Sequence, residues 1–178
     1  MSRKKQTNIR KSNWDYFIIL RPTYDRDIAH LTNAGDQIVD YLKKTKYKRV
    51  VRDYKRQHVI RSKFLLVLKK LQKKSVLLML YGHDHPKGRG DGFKGSLNKY
   101  VLDLFNTRLL KNFTVIANVC YLCKKHGVQS VEDGVRTYFG YTNELWFPPP
   151  KLPQTGFKEI FNKLFFEIAE KNHTSAQA

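Results

Sequence analysis

Apolar runs of five to seven residues alternate along this chain with longer segments whose apolar positions recur every three or four residues. That alternation leaves few architectures open. Tyr16-Phe-Ile-Ile-Leu20 is the first run, bounded by Asn13 and by Arg21-Pro22, and it reads as a strand buried on both faces. A turn over Pro22–Asp25 follows. From Asp27 to Lys44 the residues Ile28, Leu31, Ile38, Val39 and Leu42 share one helical face, with Asp25 or Asp27 placed to cap its start. Arg49–Tyr54 gives a second strand. His58–Lys73 is an amphipathic helix with Ile60, Phe64, Val67, Leu68 and Leu71 inward and Lys and Arg crowding its outer face.

Ser75–Tyr81 is the most hydrophobic stretch and reads as a central strand, followed by a Gly-rich, charged loop from Gly82 to Gly95. Ser96 is placed to cap a helix running to Leu110. Thr114–Val119 forms a fourth strand, Val128–Asp133 a short helix stopped by Gly134, and Val135–Phe139 a fifth strand. A Pro-rich turn, Trp146–Pro153, leads to a last helix over Phe157–Lys171. Strict strand–helix alternation implies crossover connections and an α/β fold: a three-layer α/β/α, doubly wound, mainly parallel five-stranded sheet. The expected organisation is a basic N-terminal tail over residues 1–13, one domain over 14–172 and a loose tail over 173–178.

A length of 178 residues suits one domain with a substantial core. Lys and Arg number 34 against 15 Asp and Glu, a formal charge of +19, which favours contact with an acidic partner: nucleic acid, an anionic membrane or an acidic protein. No run reaches membrane-spanning length, and Met1–Lys11 is basic without an apolar core segment, so no membrane contact and a cytoplasmic location are expected. Cys120 and Cys123 lie too close in sequence to staple a fold, which points to free thiols in a reducing compartment.

Function is expected beyond the carboxyl ends of the strands. The third strand closes in Tyr81-Gly82-His83-Asp84 and the fourth in Asn118-Val119-Cys120-Tyr121. If the two are parallel neighbours about 4.8 Å apart, an imidazole and a thiol emerge side by side, the pair a cysteine hydrolase needs. Cys120-x-x-Cys123 and His83-x-His85 also have the composition of a four-ligand zinc site. That site would displace the dyad, so no metal is expected. Gly82-His-Asp-His85 further looks like the last motif of a calcineurin-like metallophosphoesterase, but the chain lacks the upstream ligand motifs such an enzyme requires.

An apolar strand ending in Gly-His, a second ending in a small residue then Cys-Tyr, and a downstream segment Gly134-Val-Arg-Thr-Tyr-Phe-Gly-Tyr-Thr142 together resemble the caspase-like cysteine peptidases, the group of caspases, clostripain, gingipain and bacterial CHAT domains. The resemblance covers about Tyr16 to Trp146. It implies a caspase-like fold, a protein substrate, no cofactor, Cys120 as nucleophile and His83 as its acid–base partner. It also implies an oxyanion hole at the loop of Gly82 and Asp84, built from the backbone N–H of Cys120 and of the residue after the histidine. Arg21 and Asn118 would line the pocket for the side chain preceding the cut. There Arg21 would favour an acidic side chain; its plainer reading is a solvated charge at a strand end. These peptidases usually carry Gly after the histidine, where this chain has Asp84. They often have Ser-Gly or Arg-Gly soon after the cysteine, where it has Leu122-Cys123.

The cations around the second strand, Lys55, Arg56 and Arg61 among them, have few acidic neighbours and mark a docking surface for nucleic acid or an acidic partner protein, or else solvated helix faces. Two functions therefore stand side by side: a caspase-like endopeptidase, and a catalytically silent copy of that fold acting as a basic binding module.

Overall fold

In a computed structural model, residues 14–23, 29–44, 50–84, 90–96, 99–145 and 155–170 are described. Five strands form one all-parallel sheet: β1 (Tyr16–Arg21), β2 (Val50–Lys55), β3 (Val76–Gly82), β6 (Thr114–Val119) and β7 (Thr137–Phe139), in the order β2-β1-β3-β6-β7. Both neighbours of β1 are parallel to it, and the chain winds outward first through β2 and then, in the other direction, through β3. That reversal makes the β1–β3 crevice a topological switch point, where such sheets place their ligands.

Every residue of β3 and of β6 is buried, as the near-continuous apolar runs required. Successive residues feed opposite cores. Leu78 and Leu80 join Ile18, Leu20, Val115 and Ala117 under helix α2 (Arg61–Leu71), while Leu77, Met79 and Tyr81 join Phe17, Ile19 and Ile116 under α1 (Ala29–Lys44) and α4 (Thr155–Glu170). Helices thus cover both faces of the sheet. Across the second core, Asn162 of α4 donates from Nδ2 to Ala34 O at 2.8 Å and Gln37 Oε1 at 2.9 Å, and accepts from the Tyr81 hydroxyl at 2.9 Å. One buried amide so joins α4, α1 and β3.

The helix expected over Ser96–Leu110 does not form. In its place stand an antiparallel hairpin, β4 (Gly92–Lys94) with β5 (Tyr100–Asp103), and a single 3-10 turn, Thr107–Leu110. Two glycines decide it. A Cβ on Gly92 would lie 2.3 Å from Leu102 O and one on Gly95 2.2 Å from Val101 Cγ2, so only glycine lets the strands approach. Phe105, within the span expected to be helical, is 88% exposed. Elsewhere the limits agree within a few residues, and α3 (His126–Glu132) stops as expected before Gly134, whose φ of +92° suits glycine. The tails, the turn over Trp146–Pro153 and the cap candidates Asp25 and Asp27 lie outside the described residues.

His126, at the start of α3, is fully buried. Its Nδ1 lies 3.1 Å from the Tyr138 hydroxyl, and its Nε2 has no hydrogen-bond partner among the described residues. Burial pulls its pKa from 6.5 down to about 4, against a weak opposing pull from Asp103. The folded state therefore holds the neutral ring while the unfolded chain takes up a proton, so stability present above pH 6.5 is lost as pH falls toward about 4. Urea titrations across that window should show a loss of about 3 kcal/mol that His126→Gln does not share. Equal pH slopes for the two proteins would overturn this.

Candidate active site

β3 and β6 pair residue for residue from Leu77↔Thr114 to Gly82↔Val119. His83 and Cys120 each follow the last pair by one position, so their backbones stand about one inter-strand spacing apart, roughly 4.8 Å. Two positions earlier Tyr81 and Asn118 are themselves paired and face the layer of α1 and α4. The sheet therefore brings His83, Cys120 and Asn118 to one end of two central strands.

After Cys120 the chain turns sharply. Tyr121 has a φ of 56°, the left-handed region that costs a non-glycine residue about 1–2 kcal/mol. A single 3-10 turn, Leu122–Lys124, follows. The irregular segment after β7 holds this turn: Tyr121 N–H donates to Asn143 O and Cys123 N–H to Tyr141 O, each at 3.1 Å. The same segment reaches the thiol, because Leu145 N–H points at Cys120 Sγ at 3.3 Å. The backbone from Tyr141 to Leu145 therefore wraps the cysteine turn.

Cys120 is 6% exposed, and burial raises its thiol pKa above the ordinary value. The Leu145 N–H and the residue's own N–H work the other way, while the Glu144 and Asp84 carboxylates add to the rise. At rest this is a neutral thiol beside two amide donors. Cys123 is also a free thiol, half-buried and raised by burial alone.

Asp84 is buried, and its Oδ2 accepts a short hydrogen bond from Gly90 N–H. Gly90 has a φ of +94°, its carbonyl accepts from His126 N–H at 2.9 Å, and a Cβ there would meet Tyr121 O at 2.8 Å. Asp84 thus closes the loop after His83 onto Gly90, which is itself held to the start of α3 and packs closely against Tyr121 O. Gly82 lies against the hairpin: a Cβ on it would come within 2.8 Å of Phe93 Cε2.

Arg21 is not the solvated strand-end charge of the plainer reading. It is 1% exposed, with Nε and Nη2 forking onto Asp53 at 2.8 and 2.6 Å and Nη1 on Asp36 at 2.6 Å. Lys55 reaches the same Asp36 carboxylate at 2.9 Å. Gly35 of α1 leaves the slot, since a Cβ there would stand 2.6 Å from Arg21 Cδ. Burial alone would pull the guanidinium down, but Asp53 and Asp36 outweigh it and hold it above its ordinary value. Burial alone would raise Asp36, but Arg21 and then Lys55 pull it below the usual carboxylate range.

Asn118 stands apart from Arg21. It borders a cavity of about 250 Å³ lined by Phe139, Tyr141, Ile160, Phe161 and Leu164. The Asn118 side chain is 3% exposed and lies close enough to the Tyr81 hydroxyl to pull on its proton, but that hydroxyl donates to Asn162, and among the described residues no acceptor meets Asn118 Nδ2 at full hydrogen-bonding geometry. Arg21 is not among the described residues that line the cavity. Sequence reasoning missed this pocket's far wall, whose only trace was the i, i+1, i+4 spacing of Ile160, Phe161 and Leu164.

Of the three basic-surface candidates, Lys55 is engaged by Asp36, and Arg61 by Asp103 and by Tyr100 O at 3.2 Å. Arg56 is exposed, with a φ of 55°. His85 lies outside the described residues, and among those described no three His, Cys, Asp or Glu side chains cluster as metal ligands would. No protein-family model, curated protein or solved structure matches this chain.

Arg21→Leu should cost about 1–3 kcal/mol in urea unfolding, because the partly exposed Asp53 and Asp36 lose their shared cation; a loss under about 0.5 kcal/mol would show the network to be dispensable. Removing the Glu144 charge should lower the Cys120 thiol pKa, so Glu144→Gln should alkylate with iodoacetamide severalfold faster near neutral pH, its rate–pH curve moved to lower pH. An unmoved curve would mean that Glu144 does not act on the thiol.

Proposed function

We propose that this protein is a caspase-like cysteine endopeptidase whose Cys120 attacks a peptide carbonyl with His83 as acid and base. The observation that carries the reading is the Gly82↔Val119 register, which aligns the two positions at the carboxyl ends of central parallel strands. The strained Tyr121 turn directly after the cysteine adds to it, since backbone strain of this kind clusters at functional positions.

In this reading His83 takes the thiol proton as sulfur forms its bond to the scissile carbonyl carbon. The carbonyl oxygen gains the negative charge, and the N–H groups of Cys120 and Asp84 receive it, a contribution of about 3 kcal/mol per donor in comparable sites. His83 then returns the proton to the leaving amine, and water resolves the thioester with His83 again as base. A thiol held neutral by burial suits this order, in which proton transfer accompanies attack. The cavity beside Asn118 takes the side chain preceding the cut. Its described lining bears no charge, so it favours an uncharged side chain, with Asn118 Nδ2 ready to donate to an acceptor such as the glutamine carbonyl.

Two observations favour the second reading, a catalytically silent copy serving as a binding module: a carboxylate follows the histidine where the resembling family has glycine, and the thiol is pushed up rather than down.

A peptide-based thiol electrophile should label Cys120 well ahead of Cys123, and His83→Ala should slow that labelling by at least about 100-fold. A peptide library should be cut after uncharged residues, with Asp, Glu, Lys and Arg rejected. Equal labelling of the two cysteines, indifferent to His83, would establish the silent copy instead.

A further inference from the structure

Buried Phe64, Leu68 and Leu71 fix which side of α2 meets the sheet. At 3.6 residues per turn the opposite side, an arc of about 120°, carries Ser62, Lys63, Leu66, Lys69 and Lys70, and Lys73 and Lys74 follow in the turn just past the helix. All of these are exposed. From Arg56 to Lys74 the chain contains no Asp or Glu. Arg61 is neutralised by Asp103, but none of the five lysines makes an ion pair among the described residues. Lys69 and Lys70 in the last turn of α2 and Lys73 and Lys74 just past its end crowd four like charges into six residues. Without these five lysines the chain would still be strongly basic, so solubility does not require them.

We propose that this face of α2 binds the phosphate backbone of a nucleic-acid duplex without reading its sequence. Lysine suits the task, being a compact charge on a flexible stem that meets phosphate oxygens in many geometries. The arc holds no aromatic side chain on which an unpaired base could stack, which favours a duplex over a single strand. Its one apolar member, Leu66, is too little surface to enter a bilayer, which favours a polyanion over a membrane. α2 rises about 16 Å, and a duplex presents one charge per 1.7 Å of axis, so all five lysines find phosphates at once. Lys69 to Lys74 sit where α2 hands over to the start of β3, the end of the sheet opposite His83 and Cys120. A duplex held there anchors the protein and leaves the candidate active site open.

The test uses the full chain and fluorescent duplexes of about 20 base pairs, in DNA and in RNA, with phosphatidylserine vesicles as a separate arm. Both duplexes should bind, with log K falling against log salt at a slope of about −4, several hundred-fold between about 50 and 200 mM. Reversing Lys69, Lys70, Lys73 and Lys74 to Glu should weaken binding at least about 50-fold at the lower salt. The same reversal at Lys43, Lys44, Lys158 and Lys163, on the α1 and α4 side of the sheet, should have a much smaller effect despite the equal change in net charge. Circular dichroism and melting temperature verify that both variants fold. Three results would overturn the proposal: no duplex binding at about 50 mM salt, equal losses in the two variants, or vesicles bound while duplexes are not.

Discussion

Everything in this molecule hangs on two adjacent parallel strands, β3 and β6, that have no solvent-facing residue between them. A strand buried on both faces must pair every backbone group with a neighbour and must be covered from both sides. The first demand sets the register with β1 and between the two strands. The second demands helices on each face, which the two separate cores supply. Because parallel strands end together, the same constraint that stabilises the sheet places position 83 beside position 120. The candidate chemistry is thus a by-product of core formation rather than of loop design, and the loops only refine it.

Two of the polar side chains inside this core tie separate elements together. Arg21 joins β1, β2 and α1 through two carboxylates, and Asn162 joins α4, α1 and β3. A buried ion pair adds little to stability over a well-packed apolar substitute. Its stronger effect here is geometric: Arg21 fits only under Gly35, so α1 has one position on the sheet in which Asp36 and Asp53 are both satisfied.

The strands and most helices were legible because they follow from local periodicity. Thr114–Val119 is bounded identically in sequence and structure, since an apolar run between turn signals has a single reading. The hairpin at Gly92–Asp103 was not legible, because the leucine and valine spacing there also fits a helix and only the close approach at Gly92 and Gly95 decides between them. His83 and Cys120 could be named from the strand ends alone. The surroundings that tune them could not: Leu145, Glu144 and Gly90 come from segments whose approach to the cysteine turn depends on the tertiary fold. The burial of Arg21 was hidden for the same reason, as its slot is made by a residue on another element.

Asp84 shows how one side chain can serve structure and chemistry in opposite directions. Its carboxylate satisfies the buried Gly90 amide and so closes the histidine loop, which a glycine could not do. The same charge disfavours a thiolate at Cys120. Two backbone amides oppose it at the sulfur, one of them delivered by the segment that wraps the turn. The balance among these groups, rather than the presence of a cysteine and a histidine, sets how readily the sulfur ionises. Every one of these interactions strengthens as the local dielectric falls, so excluding water from the cysteine turn would shift that balance.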